Sequence, residues 1–158
     1  MRRLLTFAVL LALALPAASA ARTHGPSDGT LSVKDARGTI LISARGGVIG
    51  SFAQGQVTIV DPIEGDGTGP VVFGEEFHRE IDAQTDVYRG TKVRFRIIGG
   101  AFKIRVQGRG INLSLVGKGN VTLNGAGTGA DGMYSVNGDT YSVIPNFLFS
   151  FVLSATSP

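Results

Sequence analysis

The chain has 158 residues, 23 of them glycine, and neither cysteine nor tryptophan. Without cysteine no disulfide can brace it, so a chain of this size must stand on its core and its hydrogen bonds. Its 15 basic residues exceed 12 acidic ones only slightly.

The first twenty residues have the parts of a secretory signal peptide. Arg2 and Arg3 precede an apolar run from Leu4 to Leu15, and Pro16 and Ala18-Ser19-Ala20 follow. The run is too short to span a bilayer, and the small residues suit cleavage near Ala20. Loss of the two arginines leaves 13 basic against 12 acidic residues, a nearly neutral mature chain. No second apolar run of about 20 residues follows, so no transmembrane anchor is expected. Residues 21–29 hold turn formers and His24 without apolar periodicity, and read as a leader to a single domain from residue 30 to residue 158.

Short runs of Val, Ile, Phe and Thr then recur between glycine-containing turns about every 8 to 12 residues, the pattern of an all-β domain. Laying residues 31–61 on residues 95–125 without a gap matches Ile40 with Ile104, Arg45-Gly46 with Arg109-Gly110, Gly55 with Gly119 and Val57-Thr58 with Val121-Thr122. Apolar residues also meet at Leu31 and Phe95, Ile49 and Leu113, and Ile59 and Leu123. The expectation is an antiparallel β-sandwich or barrel-like domain, with a pseudo-duplicated unit of about 64 residues whose halves are 31–94 and 95–158.

The loop Asp61-Pro-Ile-Glu-Gly-Asp-Gly-Thr-Gly offers carboxylates at Asp61, Glu64 and Asp66, a weak calcium candidate without EF-hand spacing. From Gly74 to Gln84, Phe73, Phe77 and Ile81 fit helical spacing, yet they also alternate with Glu76, Glu80 and Asp82, which favours a strand. As a strand residue His78 would share a face with Glu76, Glu80 and Asp82, a grouping able to hold a cation or perform acid-base chemistry. No second histidine stands near it in sequence, and no Gly-x-Ser-x-Gly elbow accompanies it.

Charge is segregated along the chain. Eight acidic residues lie between Asp61 and Asp86 with only Arg79 opposing them, and eight basic residues lie between Val87 and Ala130 with no acid. Within the basic half, Val93 to Val106 reads as a hairpin turning at Gly99-Gly100, since adjacent glycines suit a primed turn. Such a hairpin would oppose Arg96 to Lys103 and Arg94 to Arg105, placing four cations on one face and Phe95 and Phe102 on the other. The four form a candidate anion-binding patch unless the acidic segment folds beside them. The lack of stacking aromatics on that face counts against nucleic acid as the partner.

Gly125-Ala-Gly-Thr-Gly lacks the Lys of a phosphate loop. Asn137-Gly138 is a second hairpin signal and would set Tyr134 opposite Tyr141. Phe147 to Leu153 has bulky residues on both faces and reads as an interior strand or an edge that meets a partner.

The sequence thus points to a secreted, non-enzymatic all-β module of the cell envelope or exterior, acting by binding or assembly, with an anionic polymer or another protein as its partner. No cofactor is implied. The competing expectation is a secreted hydrolase or metal-dependent enzyme centred on His78 and its neighbouring carboxylates.

Overall fold

The computed structural model describes residues 27–156; the signal sequence, His24 and most of the leader lie outside the described residues. Seven strands form one antiparallel sheet, with no helix among the described residues. They are β1 (Gly29–Val60), β2 (Gly67–Phe73), β3 (Phe77–Asp82), β4 (Thr85–Gly125), β5 (Met133–Val136), β6 (Ser142–Val143) and β7 (Phe149–Leu153). The strand expected between Gly74 and Gln84 forms as β3.

Two of these strands, of 32 and 41 residues, dominate the molecule and pair with each other along nearly their whole length. Most β1 residues after Gly38 have two partners in β4, one on each edge. Ile40 faces Val106 and Leu123, Ile42 faces Ile104 and Val121, and Val57 faces Tyr88 and Val106. The two partners are always 17 or 18 residues apart in β4. An antiparallel ribbon can satisfy both registers only by coiling, so that each turn hydrogen-bonds to the next. β2 and β3 extend the sheet from β4, and β7 pairs with β4 and β5 with β1 at its other end.

Coiling requires corners, and glycine supplies them. Across the registers Gly125 pairs with Gly38, Gly38 with Gly108, Gly108 with Gly55 and Gly55 with Gly90. A second column runs from Gly29 through Gly117 to Gly46, and Gly99 pairs with Gly67. At these corners backbones meet where a side chain would stand: a Cβ on Gly38 would strike the Asn124 carbonyl, and one on Gly55 the Gln107 carbonyl. Gly38 (φ 134°) and Gly46 (φ 148°) also adopt backbone that other residues rarely take.

The Gly99-Gly100 hairpin expected from the sequence does not form. Arg94, Arg96 and Ile98 pair with β1 on one edge and β2 on the other, while Lys103 and Arg105 pair with two different stretches of β1. Both edges of each half are occupied, so the halves cannot pair with each other. The two glycines, at φ 79° and 80°, instead make a corner within one continuous strand. Burial shows what the corner accomplishes. Phe95 and Ile97 face inward before it and Phe102, Ile104 and Val106 after it, so the inward set changes parity across the dipeptide and the apolar row stays inside.

The core is built from these inward rows: Leu31, Val33, Ile40, Ile42, Val48, Phe52, Val57 and Ile59 of β1 meet Phe95, Phe102, Ile104, Val106, Ile111, Leu115, Val121 and Leu123 of β4. Room for the Phe95 ring comes from Gly50, its direct cross-strand partner, where any Cβ would overlap the ring. The residues matched at an offset of 64 do not share environments throughout, since Ile49 is 65% exposed and Leu113 4%. Both long strands instead obey one shorter rule, alternating apolar residues between glycines eight or nine positions apart at Gly29, Gly38, Gly46 and Gly55 and again at Gly90, Gly99, Gly108 and Gly117.

Side chains lock the end of the chain to its beginning. Asn137 and Gly138 form the expected turn, with the Asp139 amide donating to the Val136 carbonyl at 2.9 Å. One extra residue enters the following strand, so Tyr134 lies opposite Ser142 instead of Tyr141. Asn137 accepts from the Thr30 amide at 2.9 Å and donates to the Ser154 carbonyl at 3.0 Å. Among the described strands β7 pairs with β4, and its Phe149 and Phe151 pack with Tyr134 against the core.

Candidate functional site

All four cations of the candidate patch, Arg94, Arg96, Lys103 and Arg105, are exposed. Alternation puts their neighbours Val93, Phe95, Ile97, Phe102, Ile104 and Val106 inside, so the cations must point out. The corner at Gly99-Gly100 divides them into two pairs with different surroundings. The like-charge opposition expected of a hairpin is absent.

Lys103 lies between Ser43 and Val60, and Arg105 between Leu41 and Thr58. Beyond Ser43 and Leu41 come Asn120 and Thr122. These side chains border a shallow depression of about 280 Å³ with no acidic residue in its lining. The face is therefore a cationic pair with mixed flanks: Ser43, Thr58, Asn120 and Thr122 are interleaved with Leu41 and Val60, and the depression between them is lined mainly by apolar carbon. Thr122 shares a 2.7 Å hydrogen bond with Ser150 of β7, which extends the polar row by one strand.

Arg96 lies between Ile49 and Val71, and Arg94 between Ser51 and Phe73. The acidic half of the chain does reach this pair, because β2 is their neighbouring strand. What β2 presents to them, however, is Val71 and Phe73, not a carboxylate. The ion pairs seen, Arg45 with Asp66 at 3.1 Å and His78 with Asp86 at 2.6 Å, involve none of the four cations.

The metal candidates Asp61, Glu64, Asp66, Glu76, His78 and Glu80 are not brought together. No three His, Asp or Glu side chains converge as a metal group among the described residues. Asp66 is engaged by the Ala101 amide at 3.0 Å as well as by Arg45, and so ties the 61–69 loop to the Gly99-Gly100 corner. Glu76 accepts from both the amide and the hydroxyl of Thr91. In β3 the cross-strand register sets Glu80 against Asp86 and His78 against Tyr88.

His78 is half-exposed, donates from Nε2 to the Asp86 carboxylate, and stacks on Tyr88 with ring centroids 4.4 Å apart. Burial, then the negative Asp86 and Glu75, push the Tyr88 phenol above its ordinary value. A histidine held by a carboxylate is a component of acid-base sites, but this one lies on β3, whose residues are all exposed, and does not line the depression described above.

A different carboxylate, not singled out by the sequence, is the most completely engaged. Asp131, 3% exposed, accepts from the Gly127 amide at 2.6 Å and from the Thr128 hydroxyl at 2.6 Å and amide. The Thr128 hydroxyl foremost, with these amides and the nearby Arg37 charge, holds its carboxyl below the ordinary value. Asp131 thus folds the 125–132 loop onto its own backbone, and the Gly125-Ala-Gly-Thr-Gly stretch is a structural clasp. Among the outward residues, the sequence signalled the cations but not Ile49 and Phe73 beside them, since single exposed apolar residues carry no local signature.

No family model, curated protein or solved structure matches the chain.

Proposed function

We propose that the protein is a secreted, non-enzymatic all-β module of the cell envelope or exterior that binds an anionic polymer through Lys103 and Arg105. The observation that carries this reading is the face they occupy: two cations with no acidic partner among the described residues, beside Ser43, Thr58, Asn120 and Thr122 as well as Leu41 and Val60, around a shallow depression. A chain of phosphate, sulfate or carboxylate groups would gain charge attraction from the pair and hydrogen bonds from the hydroxyls and amides. An open, shallow face accepts a long polymer better than a small molecule, which needs a concave pocket. We further infer that the coiled ribbon is flattened into two layers as a sandwich, because corners eight or nine residues apart give two per turn of 17 or 18. In that arrangement Arg94 and Arg96 lie on the opposite outer face from Lys103 and Arg105.

The test is retention of the mature chain on an immobilised polyphosphate or heparin column. Retention should weaken steeply with salt, and should be lost in Lys103→Ser/Arg105→Thr while Arg94→Ser/Arg96→Ser keeps most of it. Equal retention of the Lys103/Arg105 variant and the unaltered chain would overturn the proposal.

A further inference from the structure

The second pair of cations has the more exposed apolar neighbours. Across the ladder the outward row through Arg96 reads Val71, Arg96, Ile49, Ser114 and Ser32, and the row through Arg94 reads Phe73, Arg94, Ser51 and Asn112. Residues opposite one another in a ladder share a face, so these side chains form one outward surface. Ile49 is 65% exposed and Phe73 59% exposed, placing both among the exposed large apolar residues of the molecule. With strands about 4.8 Å apart, β2 and the β1 strand bracket the two guanidinium groups within roughly 10 Å. The cations thus stand between two exposed apolar flanks.

We propose that this face docks on the surface of a bilayer containing anionic phospholipid. The two arginines meet phosphate headgroups as planar, multiply donating cations. Phe73 on one flank and Ile49 on the other then enter the boundary between headgroups and acyl chains, so that charge and apolar contact act over the same patch. Charge complementarity selects this occupant over a second copy of the chain. A two-fold contact through this face would bring Arg94 and Arg96 against their own equivalents with no acid within the patch to separate them. The inference does not depend on polymer binding, which uses the other pair.

The experiment is co-sedimentation of the mature chain with vesicles of phosphatidylcholine alone or mixed with phosphatidylglycerol. Binding is expected to the mixed vesicles only and to fall several-fold as salt is raised. Arg94→Ser/Arg96→Ser should abolish it, Ile49→Ser/Phe73→Ser should weaken it by about tenfold or more, and Lys103→Ser/Arg105→Thr should leave it intact. All the altered residues are exposed, and far-ultraviolet circular dichroism checks that each variant keeps its strands. Failure to pellet with mixed vesicles overturns the proposal. So does undiminished binding of the Ile49/Phe73 variant, which would leave charge alone, or equal loss in the Lys103/Arg105 variant, which would assign the lipid to the polymer face. Self-association in sedimentation velocity that disappears in the Ile49/Phe73 variant would give the face to a second copy and overturn it as well.

Discussion

Gly46 and Gly117 are cross-strand partners whose backbones approach so closely that a Cβ on either would strike the other strand: one on Gly46 meets the Val116 carbonyl, and one on Gly117 meets the Arg45 carbonyl. The same reciprocal relationship recurs at Gly55 with Gly108, and in one direction at Gly38, where a Cβ would strike the Asn124 carbonyl. Alanine at Gly46 or Gly117 must therefore move backbone in two turns of the ribbon and adopt unfavourable dihedrals. A loss of about 2 kcal/mol or more is expected for each in urea denaturation. Gly69 has nothing within contact of a Cβ and its alanine variant should stay within about 0.5 kcal/mol of the parent. Equal behaviour of the three variants would show that the columns are not close contacts.

Asp131 gives the acid limb of stability a specific component. Its carboxyl is held below the ordinary value of about 3.9, chiefly by the Thr128 hydroxyl. A depressed folded value means that its contribution is complete above the unfolded value and is lost as pH falls through the lower, folded one. Asp131→Asn should therefore be less stable than the parent at neutral pH, with the difference narrowing below about pH 4. Thermal melts at a series of pH values check this, and a difference that stayed constant to low pH would contradict it.

The four cations have no ion-pair partners among the described residues. Replacing Arg94, Arg96, Lys103 and Arg105 singly with Ser or Thr should change stability by no more than about 0.5 kcal/mol. Thermal denaturation at low and high salt is the measurement. A larger loss at any of them would mean that the charge supports the fold, and would lower its standing as a binding group.

β3 is held by one ladder, the His78 contacts and exposed side chains, which marks it as a segment that opens independently of the core. His78→Ala removes both the stack on Tyr88 and the hydrogen bond to Asp86. Amide exchange in β3 should accelerate several-fold while exchange of core amides such as Val106 and Leu115 stays at its parent rate. Uniform acceleration across the sheet would show instead that β3 is part of the global cooperative unit.

Much of the local structure was legible in the residues. Alternation identified which side chains of Leu31 to Ile42 and Val93 to Val106 face inward, and burial follows it at Leu31, Val33, Ile40, Ile42, Phe95, Ile97, Phe102 and Ile104. The acidic and basic halves were equally plain, as was the turn at Asn137-Gly138. The site was legible only as a set of cations. Its division into two pairs, one beside a depression and the other beside the more exposed Ile49 and Phe73, depends on residues distant in sequence that the ladder makes neighbours.

Alternation in the residues is enough to say that this chain makes strands and which side chains of Leu31 to Ile42 and Val93 to Val106 face in. Which strand edges meet is set in the folded chain. The Gly99-Gly100 dipeptide is chemically compatible with a hairpin and with a corner, because positive φ at two glycines serves either. Backbone donors and acceptors are the same at every residue, so the choice falls to long-range packing. Coiling β1 against two stretches of β4 fills both edges of Arg94 to Ile98, brings the glycine columns into contact and buries the apolar rows together, which a local hairpin would leave half covered.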